Sequence, residues 1–324
     1  MQNVLILSAG RRVELIKLLK STIKKHKINS KVFAADARLD APALYFADDF
    51  FQLPFIKDKE YIPEIISLCN RLDVKLIIPT IDTELEILSE NIRKIESETK
   101  AKLLVSDISI IKICNDKIKT QDFLERHGFL IPKMYSKEEL SYAEFPLFIK
   151  PKNGSSSKNI FKINNLEELD TYLNIVPDPI VQEFIEGDEY TVDVFLDFSG
   201  NIITIVPRLR LATRSGEISK GRIVKDVEII DEVKRLMNCL KPIGHITVQL
   251  MKTKKGIEFI EINPRFGGGA PMSIEAGANS FENLFRLLNG EKLEYNEDYT
   301  DKLLFMRFDS SIALNQKMEL VSFD

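Results

Sequence analysis

GHITVQLMKTKKGIEFIEINPRFGGG, residues 244–269, contains two apolar runs separated by a Lys-Thr-Lys-Lys-Gly turn. The runs ITVQLM and IEFIEI predict a β-hairpin around that turn. Because alternate residues of a strand share a face, Glu261 and Asn263 should lie side by side, and Gln249 can face them from the partner strand. Such a set of oxygen ligands suits Mg²⁺, which keeps several waters and is usually held by one or two carboxylates together with substrate phosphates.

A fixed positive charge follows this cluster at Arg265. A guanidinium stays protonated and offers a planar fork of donors to phosphate or carboxylate, so a metal next to Arg265 indicates a polyphosphate pocket. The alternative is a hairpin with a solvated edge. That alternative predicts scattered polar residues, whereas this chain places a carboxylate, a carboxamide, a proline and an arginine directly before Phe-Gly-Gly-Gly.

Composition favours a protein that acts on small molecules. The chain has 324 residues, 44% of them hydrophobic and 29% charged, which is enough to bury a core in two or three domains. Its 45 basic and 49 acidic residues give 45 − 49 = −4, so no overall basic field attracts nucleic acid. The three cysteines are isolated, which predicts core thiols in a reducing compartment. We expect a cytoplasmic protein without a membrane span.

Residues 1–105 alternate between apolar strand patterns and helical patterns. This βαβα order predicts an N-terminal doubly wound parallel sheet with ligands at the carboxyl ends of its strands. The loop after the first strand, Ser8-Ala9-Gly10, could hold an anion at a helix N-terminus, but it lacks the GxGxxG pattern of dinucleotide sites. The next predicted element is one continuous helix, which Asp107 caps and which runs through Lys117 to Glu125.

An apolar strand with a single lysine, Pro146-Leu147-Phe148-Ile149-Lys150-Pro151, precedes a loop of small residues. Burying Lys150 without an anionic partner would cost several kcal/mol, so a phosphate partner is expected. The loop can donate backbone N–H and hydroxyl hydrogen bonds to phosphate and could close over a nucleotide. Its candidate phosphate-binding residues are Gly154, Ser155, Ser156 and Ser157.

A second loop is predicted at residues 212–221, because this segment has little apolar content. Its basic surroundings include Arg210 and Lys220, which could stabilise charge on a transferred phosphoryl group or hold an acidic substrate. An exposed basic loop without a function is the alternative. A helix at residues 231–240 and a helical segment at residues 272–289, broken near Gly277, complete the pattern.

Several of these motifs together resemble those of the ATP-grasp superfamily. Glu261-Ile262-Asn263-Pro264-Arg265 looks like its metal-binding strand, closest to the carbamoyl-phosphate-synthetase-like and carboxylate–amine ligase branch. Asp116-Lys117 resembles the first ATP-contacting lysine of the family, and Lys150 with its loop resembles the second lysine and the glycine-rich lid. The stretch QEFIEGDEYTVD, residues 182–193, resembles the hinge that contacts adenine and ribose. The matching pieces occur in the order that the family shows.

The resemblance implies residue roles at that hinge and a domain plan. Adenine would meet the segment Glu183, Phe184 and Ile185, and Glu189 would hold the ribose hydroxyls, with Glu186 as a competitor. The implied fold is a mixed α/β and α+β chain. A pre-ATP-grasp domain would cover residues 1–105, an ATP-grasp domain residues 106–298 with a small lid subdomain at about 120–185, and a C-terminal strand and tail residues 299–324. Arg11, Asp36, Thr80 and Asp82 match substrate-domain positions, although capping or surface charge would also explain them.

The implied activity is a ligase reaction that uses ATP and Mg²⁺, for which Mn²⁺ could substitute. The γ-phosphate would pass to a carboxylate, and an amine would then displace phosphate to give an amide and ADP. Arg265 would stabilise the acyl phosphate. The partners would be small-molecule carboxylate and amine substrates, with no nucleic acid and no membrane, and a homodimer is compatible. Two alternatives remain open: a bicarbonate-using carbamoyl-phosphate-synthetase-like enzyme and a non-catalytic ATP-binding protein.

Overall fold

The computed structural model describes residues 1–152, 159–214 and 216–321. Its N-terminal part is a five-stranded parallel sheet in the order β3-β2-β1-β4-β5, which confirms the predicted doubly wound sheet. The strands and the helices that connect them are β1 (Asn3–Ile6), α1 (Val13–Lys25), β2 (Val32–Asp36), β3 (Asp49–Gln52), α2 (Tyr61–Arg71), β4 (Val74–Ile78), α3 (Asp82–Glu90), α4 (Ile92–Glu98) and β5 (Lys102–Leu103). A short 3₁₀ turn, Pro42–Phe46, lies between β2 and β3.

Two short helices follow, α5 (Ile108–Cys114) and α6 (Lys117–Arg126). The sequence predicted one continuous helix here, and that prediction is wrong. The Asp116 side chain accepts hydrogen bonds from the backbone N–H groups of Ile118 and Lys119. An aspartate that bonds in this way starts a helix, because it satisfies N–H groups that have no partner within the helix. The cap places Lys117 at the first position of α6.

A small antiparallel sheet of four strands comes next, in the order β6-β9-β7-β8. It is built from β6 (Met134–Tyr135), β7 (Leu147–Pro151), β8 (Phe161–Ile163), α7 (Leu166–Ile175) and β9 (Pro179–Glu183). The helix α7 covers one face, where Leu147, Ile149 and Leu169 are buried in a small core. Lys150 belongs to β7 and lies opposite Ile180 of β9.

The third sheet is antiparallel and has six strands in the order β14-β13-β10-β11-β12-β15. Its elements are β10 (Gly187–Leu196), β11 (Ile202–Arg214), β12 (Glu217–Ile223), α8 (Val227–Leu240), β13 (Gly244–Thr253), β14 (Gly256–Asn263), α9 (Ala270–Glu275), α10 (Ser280–Leu288) and β15 (Leu304–Met306). The predicted hairpin of residues 244–263 is confirmed as β13 and β14. The break between α9 and α10 at Gly277 also agrees with the prediction.

The loop predicted at residues 212–221 is instead part of a β-hairpin, so that prediction is wrong. The strand β11 extends to Arg214, and β12 begins at Glu217 and pairs with β15. Polar composition misled the prediction, because β12 gains its backbone partners from two neighbouring strands and needs few apolar side chains of its own. The helix predicted at residues 231–240 is present but starts earlier, at Val227, where Asp226 caps it.

A shared apolar core fixes the N-terminal sheet against the large sheet. Val4 and Ile6 of β1 belong to the same buried cluster as Phe266, Ile274 and Phe281. Burial of apolar area at roughly 25 cal/mol per Å² makes such a continuous cluster a strong link between the two parts.

The last described elements form a small hairpin of β16 (Ala313–Leu314) and β17 (Leu320–Val321). Among the described residues, no helix combines the length and apolar character needed to cross a membrane.

Candidate functional site

The hairpin of β13 and β14 presents polar residues on one face of the large sheet. Gln249 lies opposite Glu261, and Thr247 lies opposite Asn263. Directly opposed residues of an antiparallel pair project to the same face, and so do residues two apart in one strand. The structure therefore brings together the three side chains that the sequence singled out as metal ligands, with Thr247 beside them.

Glu261 is the carboxylate around which cationic side chains gather. For Lys117, Lys150 and Arg210, burial lowers the pKa, and the charge of Glu261 acts in the opposite direction. All three cations therefore lie within electrostatic reach of this one acid. A carboxylate with several positive neighbours is suited to a site in which further negative charge must be neutralised.

The donor set at Glu261 fits a magnesium ion that is shared with a polyphosphate. Among the described residues, no group of three or more histidine, cysteine, aspartate or glutamate side chains is arranged to hold a metal ion. A metal here would rely on one carboxylate and two carboxamides, a sparse set that Mg²⁺ completes with water and phosphate oxygens. The Gln249 side chain donates its amide N–H to Glu189 Oε1 at 2.5 Å. Its amide oxygen is therefore left as an acceptor.

Lys150 is a buried lysine with no ion pair among the described residues. Only 8% of its surface is exposed, and burial lowers the pKa of its ammonium to about 8. Glu261 raises this pKa, and the neighbouring Lys117 lowers it further. Removing an ammonium from water costs several kcal/mol unless an anion lies close by. Lys150 therefore provides a desolvated positive charge that a phosphate group would satisfy.

Lys117 and Lys150 line one small cavity between α6, β7 and β14. Its apolar lining includes Leu124, Ile131 and Phe259. Lys117 Nζ also donates to the backbone carbonyl of Lys152, at 3.2 Å. The cavity has a volume of about 10 Å³, so it has room for a water-sized group only, and its two ammonium groups lie beside an apolar wall.

Glu189 and Arg210 form an ion pair beside Gln249 and Glu261. Arg210 Nη1 lies 2.8 Å from Glu189 Oε1, and Arg210 Nη2 donates to the carbonyl of Gly216 at 2.9 Å. The Arg210 side chain is 7% exposed, so it is held rather than mobile. Burial, followed by opposing effects of Glu189 and Arg208, leaves its pKa below the ordinary value. Glu189 thus lies between the predicted hinge and Gln249, and its ribose role stays a prediction.

The hinge residues connect the small sheet to the large one. The Glu183 carboxylate pairs with Lys255 at 2.8 Å and accepts a hydrogen bond from the backbone N–H of Lys133 at 3.0 Å. The Phe184 backbone N–H donates to the carbonyl of Pro146, and its ring lies under Lys162 at 4.2 Å. The Glu183 side chain is therefore already neutralised. Contact between adenine and the segment from Glu183 to Ile185 stays a prediction, with the backbone as its donor and acceptor.

Arg265 links the N-terminal domain to the hairpin of β13 and β14. Its Nη2 atom donates to Asp82 Oδ2 at 2.7 Å and to Asn263 Oδ1 at 3.2 Å. Asp82 begins α3 after the carboxyl end of β4, so this ion pair connects the N-terminal domain to the segment that follows β14. The nearby Arg265 Nε and Asp82 Oδ1 are buried and have no hydrogen-bond partner among the described residues.

The remaining predicted site residues are four residues of the small-residue loop and Lys220. Gly154, Ser155, Ser156 and Ser157 lie outside the described residues. Lys220 is an exposed residue of β12 opposite Met306 of β15. Its part in catalysis stays a prediction.

The sequence did not single out Arg12, Glu217 and Arg307, and Arg12 lies within electrostatic reach of Arg265 and Asp82. Arg12 Nη1 lies 4.0 Å from Glu217 Oε1, and Arg307 Nη1 lies 2.8 Å from Glu217 Oε2. Burial and then the charge of Arg265 lower the pKa of Arg12. The sequence signal for Arg12 was its place directly after a β-strand and loop, where parallel sheets bind ligands. Glu217 and Arg307 carry no comparable local signal.

A buried ion pair lies on the same face of the large sheet, next to this hairpin. Arg208 is fully buried and donates to Asp193 Oδ2 at 2.5 Å and to Ser273 Oγ at 2.9 Å. Burial alone would raise the pKa of Asp193, but the positive charge of Arg208 and the nearby His245, 3.5 Å away, hold this pKa well below its usual range. Thr247 Oγ1 also donates to Asp193, at 3.2 Å. These contacts fix β10, β11, β13 and α9 relative to one another.

Together, the parallel N-terminal sheet, the small sheet with its buried lysine and the antiparallel sheet with its oxygen cluster define an ATP-grasp protein. Comparison with family models agrees, because residues 114–269 match the ATP-grasp domain and residues 4–102 match the PylC-like N-terminal domain. The chain belongs to the ATP-grasp superfamily.

Individual relatives match the chain at low sequence identity. The chain is 25% identical over 173 residues to a carbamoyl-phosphate synthase of Methanobrevibacter smithii, covering 52% of this chain and 46% of that protein. It is 25% identical over 271 residues to a 3-methyl-D-ornithine–L-lysine ligase of Methanosarcina barkeri, covering 80% of this chain and 68% of that one. The chain thus spans less than half the length of the first relative.

Among solved structures, N5-carboxyaminoimidazole synthetase from Staphylococcus aureus complexed with ADP superimposes with a TM-score of 0.75. The alignment covers 95% of this chain and 82% of that one, at 18% identity. This likeness extends over nearly the whole chain and concerns the fold.

Proposed function

We propose that this protein is an ATP- and Mg²⁺-dependent carboxylate–amine ligase that forms an amide through an acyl phosphate and releases ADP and phosphate. The observation that carries the proposal is the convergence of four groups on one cleft: the Glu261 cluster, the two cavity lysines Lys117 and Lys150, and Arg265. The names of ligases among the relatives support the same reaction class.

In this proposal the nucleotide binds between the small sheet and the hairpin of β13 and β14, next to Lys117 and Lys150. The backbone of the hinge at Glu183 to Ile185 provides hydrogen bonds to the base. Glu189 accepts hydrogen bonds from the ribose. Lys117 and Lys150 then neutralise the phosphates, which explains why Lys150 is kept desolvated with no ion-pair partner among the described residues.

Gln249, Glu261 and Asn263 would hold the metal ion, which would draw charge from the phosphate oxygens and keep the terminal phosphate in line. The protein groups supply the remaining positioning. Arg265 is fixed by Asp82 on one side and by Asn263 on the other. Its guanidinium is therefore placed to stabilise negative charge beside the metal ligands without moving during the reaction.

The proposed reaction has two steps. In the first, a carboxylate oxygen of the acid bonds to the γ-phosphorus, the bond from that phosphorus to the β–γ bridging oxygen breaks, and ADP leaves. In the second, the neutral amine bonds to the acyl carbon, the bond to the phosphate oxygen breaks, and the amine loses a proton. Catalysis in this scheme consists of positioning and charge neutralisation, so no Ser-His-Asp set is required.

The test is the nucleotide product and the interception of the acyl phosphate. Purified protein is screened with ATP, Mg²⁺, hydroxylamine and a panel of small carboxylic acids, including L-amino acids and D-alanine. We expect a hydroxamate with an equal amount of ADP for the true acid, because hydroxylamine replaces the natural amine. Detection of AMP and pyrophosphate with that acid would overturn the mechanism.

Bicarbonate in place of an organic acid is the second candidate. The similarity to a carbamoyl-phosphate synthase favours it, although that relative is more than twice as long as the matched region. ADP release that depends on added bicarbonate, with no response to any organic acid, would select this candidate. A homodimer, which is compatible with the sequence, can be tested by sedimentation of the purified protein.

A further inference from the structure

The crevice at the boundary of the N-terminal sheet has the geometry of a ligand site. In the strand order β3-β2-β1-β4-β5, the chain moves from β1 to β2 on one side and later returns to β4 on the other. Such a reversal in a parallel sheet opens a crevice at the carboxyl ends of the two central strands, where ligands bind. Arg12 follows β1 and Thr80 follows β4, and Arg12 Nη2 lies 3.4 Å from the Thr80 carbonyl oxygen.

The crevice carries more positive than negative charge. Three guanidinium groups, those of Arg12, Arg265 and Arg307, face two carboxylates, those of Asp82 and Glu217. Asp82 forms an ion pair with Arg265 at 2.7 Å, and Glu217 forms one with Arg307 at 2.8 Å. Arg12 lies farther from its nearest carboxylate, at 4.0 Å from Glu217. The Arg12 side chain is only 20% exposed. It is therefore a largely desolvated cation that two acids only partly neutralise.

The walls of the crevice also favour an anion. Arg12 is the N-cap residue of α1, and no side chain caps that thirteen-residue helix. A helix N-terminus of this length attracts negative charge. On the other wall, a Cβ at Gly268 would lie 3.2 Å from Arg12 Nη1 and 3.1 Å from Glu217 Cδ. The glycine therefore brings the loop after Arg265 against the guanidinium, and Arg265 Nε lies buried nearby with no partner among the described residues.

We propose that Arg12, together with Arg265, binds the carboxylate that is to be phosphorylated. This proposal rests on the proposed ligase function and adds the N-terminal domain to its substrate site. The ligand class is a small organic acid whose carboxylate lies between the two guanidinium groups. Arg265 bonds to Asn263 of the metal-binding set, so a carboxylate bridging the two arginines would lie beside the terminal phosphate. Arg265 Nε, which has no hydrogen-bond partner among the described residues, and the Arg12 guanidinium would each donate to one oxygen of the carboxylate.

The experiment measures the acid and the nucleotide separately. Arg12→Ala is compared with Arg38→Ala, which removes an exposed arginine from a neighbouring loop at the same edge of the sheet. Hydroxamate formation gives the KM for the acid without the natural amine, and calorimetry gives the affinity for ATP. We expect Arg12→Ala to raise the KM for the acid by roughly ten- to a hundred-fold, because a charge-assisted hydrogen bond is lost. ATP affinity and the Arg38→Ala variant should stay close to wild type.

A structural role for Arg12 is separated from a binding role by rescue. Added guanidinium ion should restore part of the hydroxamate rate in Arg12→Ala and should not raise the rate of wild type. The KM of Arg12→Lys for the acid should lie between those of wild type and Arg12→Ala. An unchanged KM for the acid in both variants would overturn the proposal. Equal losses of acid and ATP binding would also overturn it. If Arg12→Ala does not fold, as judged by circular dichroism, Arg12→Lys decides on the same two measurements.

Failure of the proposed function leaves a distinct signature. If the proposed function is wrong, wild-type protein will form no hydroxamate with any acid. In that case the same acids are titrated calorimetrically into wild type and Arg12→Ala, each saturated with MgADP. Binding to wild type that Arg12→Ala abolishes would support the carboxylate site even so. Acid binding that is equal in the two proteins, or absent from wild type, would overturn it.

Discussion

Replacing Lys150 by methionine tests whether the buried lysine exists for a phosphate. Methionine keeps an apolar stem of similar length and removes the charge. In the folded protein, burial lowers the pKa of Lys150 from 10.5 to about 8. Each pH unit between the two values corresponds to about 1.4 kcal/mol, so holding the charged form in the fold costs roughly 3 kcal/mol below pH 8.

The sign of this effect is definite. Between pH 8 and 10.5 the unfolded chain binds the Lys150 proton and the folded chain does not, so stability from this group rises with pH across that window. Below pH 8 the full cost is present. Lys150→Met should therefore have a thermal midpoint at or above that of wild type at pH 7, and the difference should shrink as the pH rises above 8.

Nucleotide affinity should change in the opposite direction. Loss of a charge-assisted contact with phosphate should weaken binding of a non-hydrolysable MgATP analogue by roughly ten- to a hundred-fold, as measured by calorimetry at pH 7. Wild-type affinity should also fall as the pH rises beyond about 8, because the ammonium loses its proton. The variant should lack that pH dependence.

The matched control is Lys119→Met, which removes an exposed lysine from α6 near the same cavity. Its affinity for the nucleotide should equal that of wild type. The reasoning is refuted if Lys150→Met binds the nucleotide as tightly as wild type. A thermal midpoint well below that of wild type would refute the cost assigned to the buried charge.

Three further predictions concern other parts of the site. Glu261→Gln should keep the fold and lower ATP turnover by orders of magnitude at limiting Mg²⁺, because a charged ligand becomes neutral; unchanged turnover in a magnesium titration would remove Glu261 from the metal site. Arg265→Ala should suppress hydroxamate formation more than it weakens ATP binding, since the guanidinium acts on charge that develops during transfer; parallel losses in both assays would contradict this role. Asp193→Ala should lower the free energy of unfolding by about 3–5 kcal/mol, because it leaves Arg208 buried without its partner, and a urea titration that matches wild type would show that the pair is not needed.

The sequence was sufficient where function depends on a local pattern. The register of the hairpin that carries Gln249, Glu261 and Asn263 follows from alternation within two strands and one short turn, and the structure has the same pairing. Lys150 was recognisable for a similar reason, because a charged residue in an apolar strand is conspicuous whatever lies around it. The parallel order of the N-terminal sheet followed from the alternation of strands and helices.

Local patterns failed where a side chain or a distant strand decided the outcome. Asp116 ends one helix and starts another through two hydrogen bonds of its side chain, a choice that helical periodicity does not encode. The strand β12 is polar in composition and becomes a strand because β11 and β15 supply its backbone partners. The ion pair of Arg208 with Asp193 likewise depends on which strands become neighbours.

Only the tertiary structure could show the crevice between the domains. Arg265 meets Asp82 across 183 residues of chain, and Arg12 approaches Glu217 from another domain. Taken singly, Asp82 and Glu217 have the sequence context of an ordinary helix cap or surface charge. Their chemistry arises from desolvation and mutual proximity, which the apolar core shared by β1, Phe266 and Phe281 imposes when it fixes one sheet against the other.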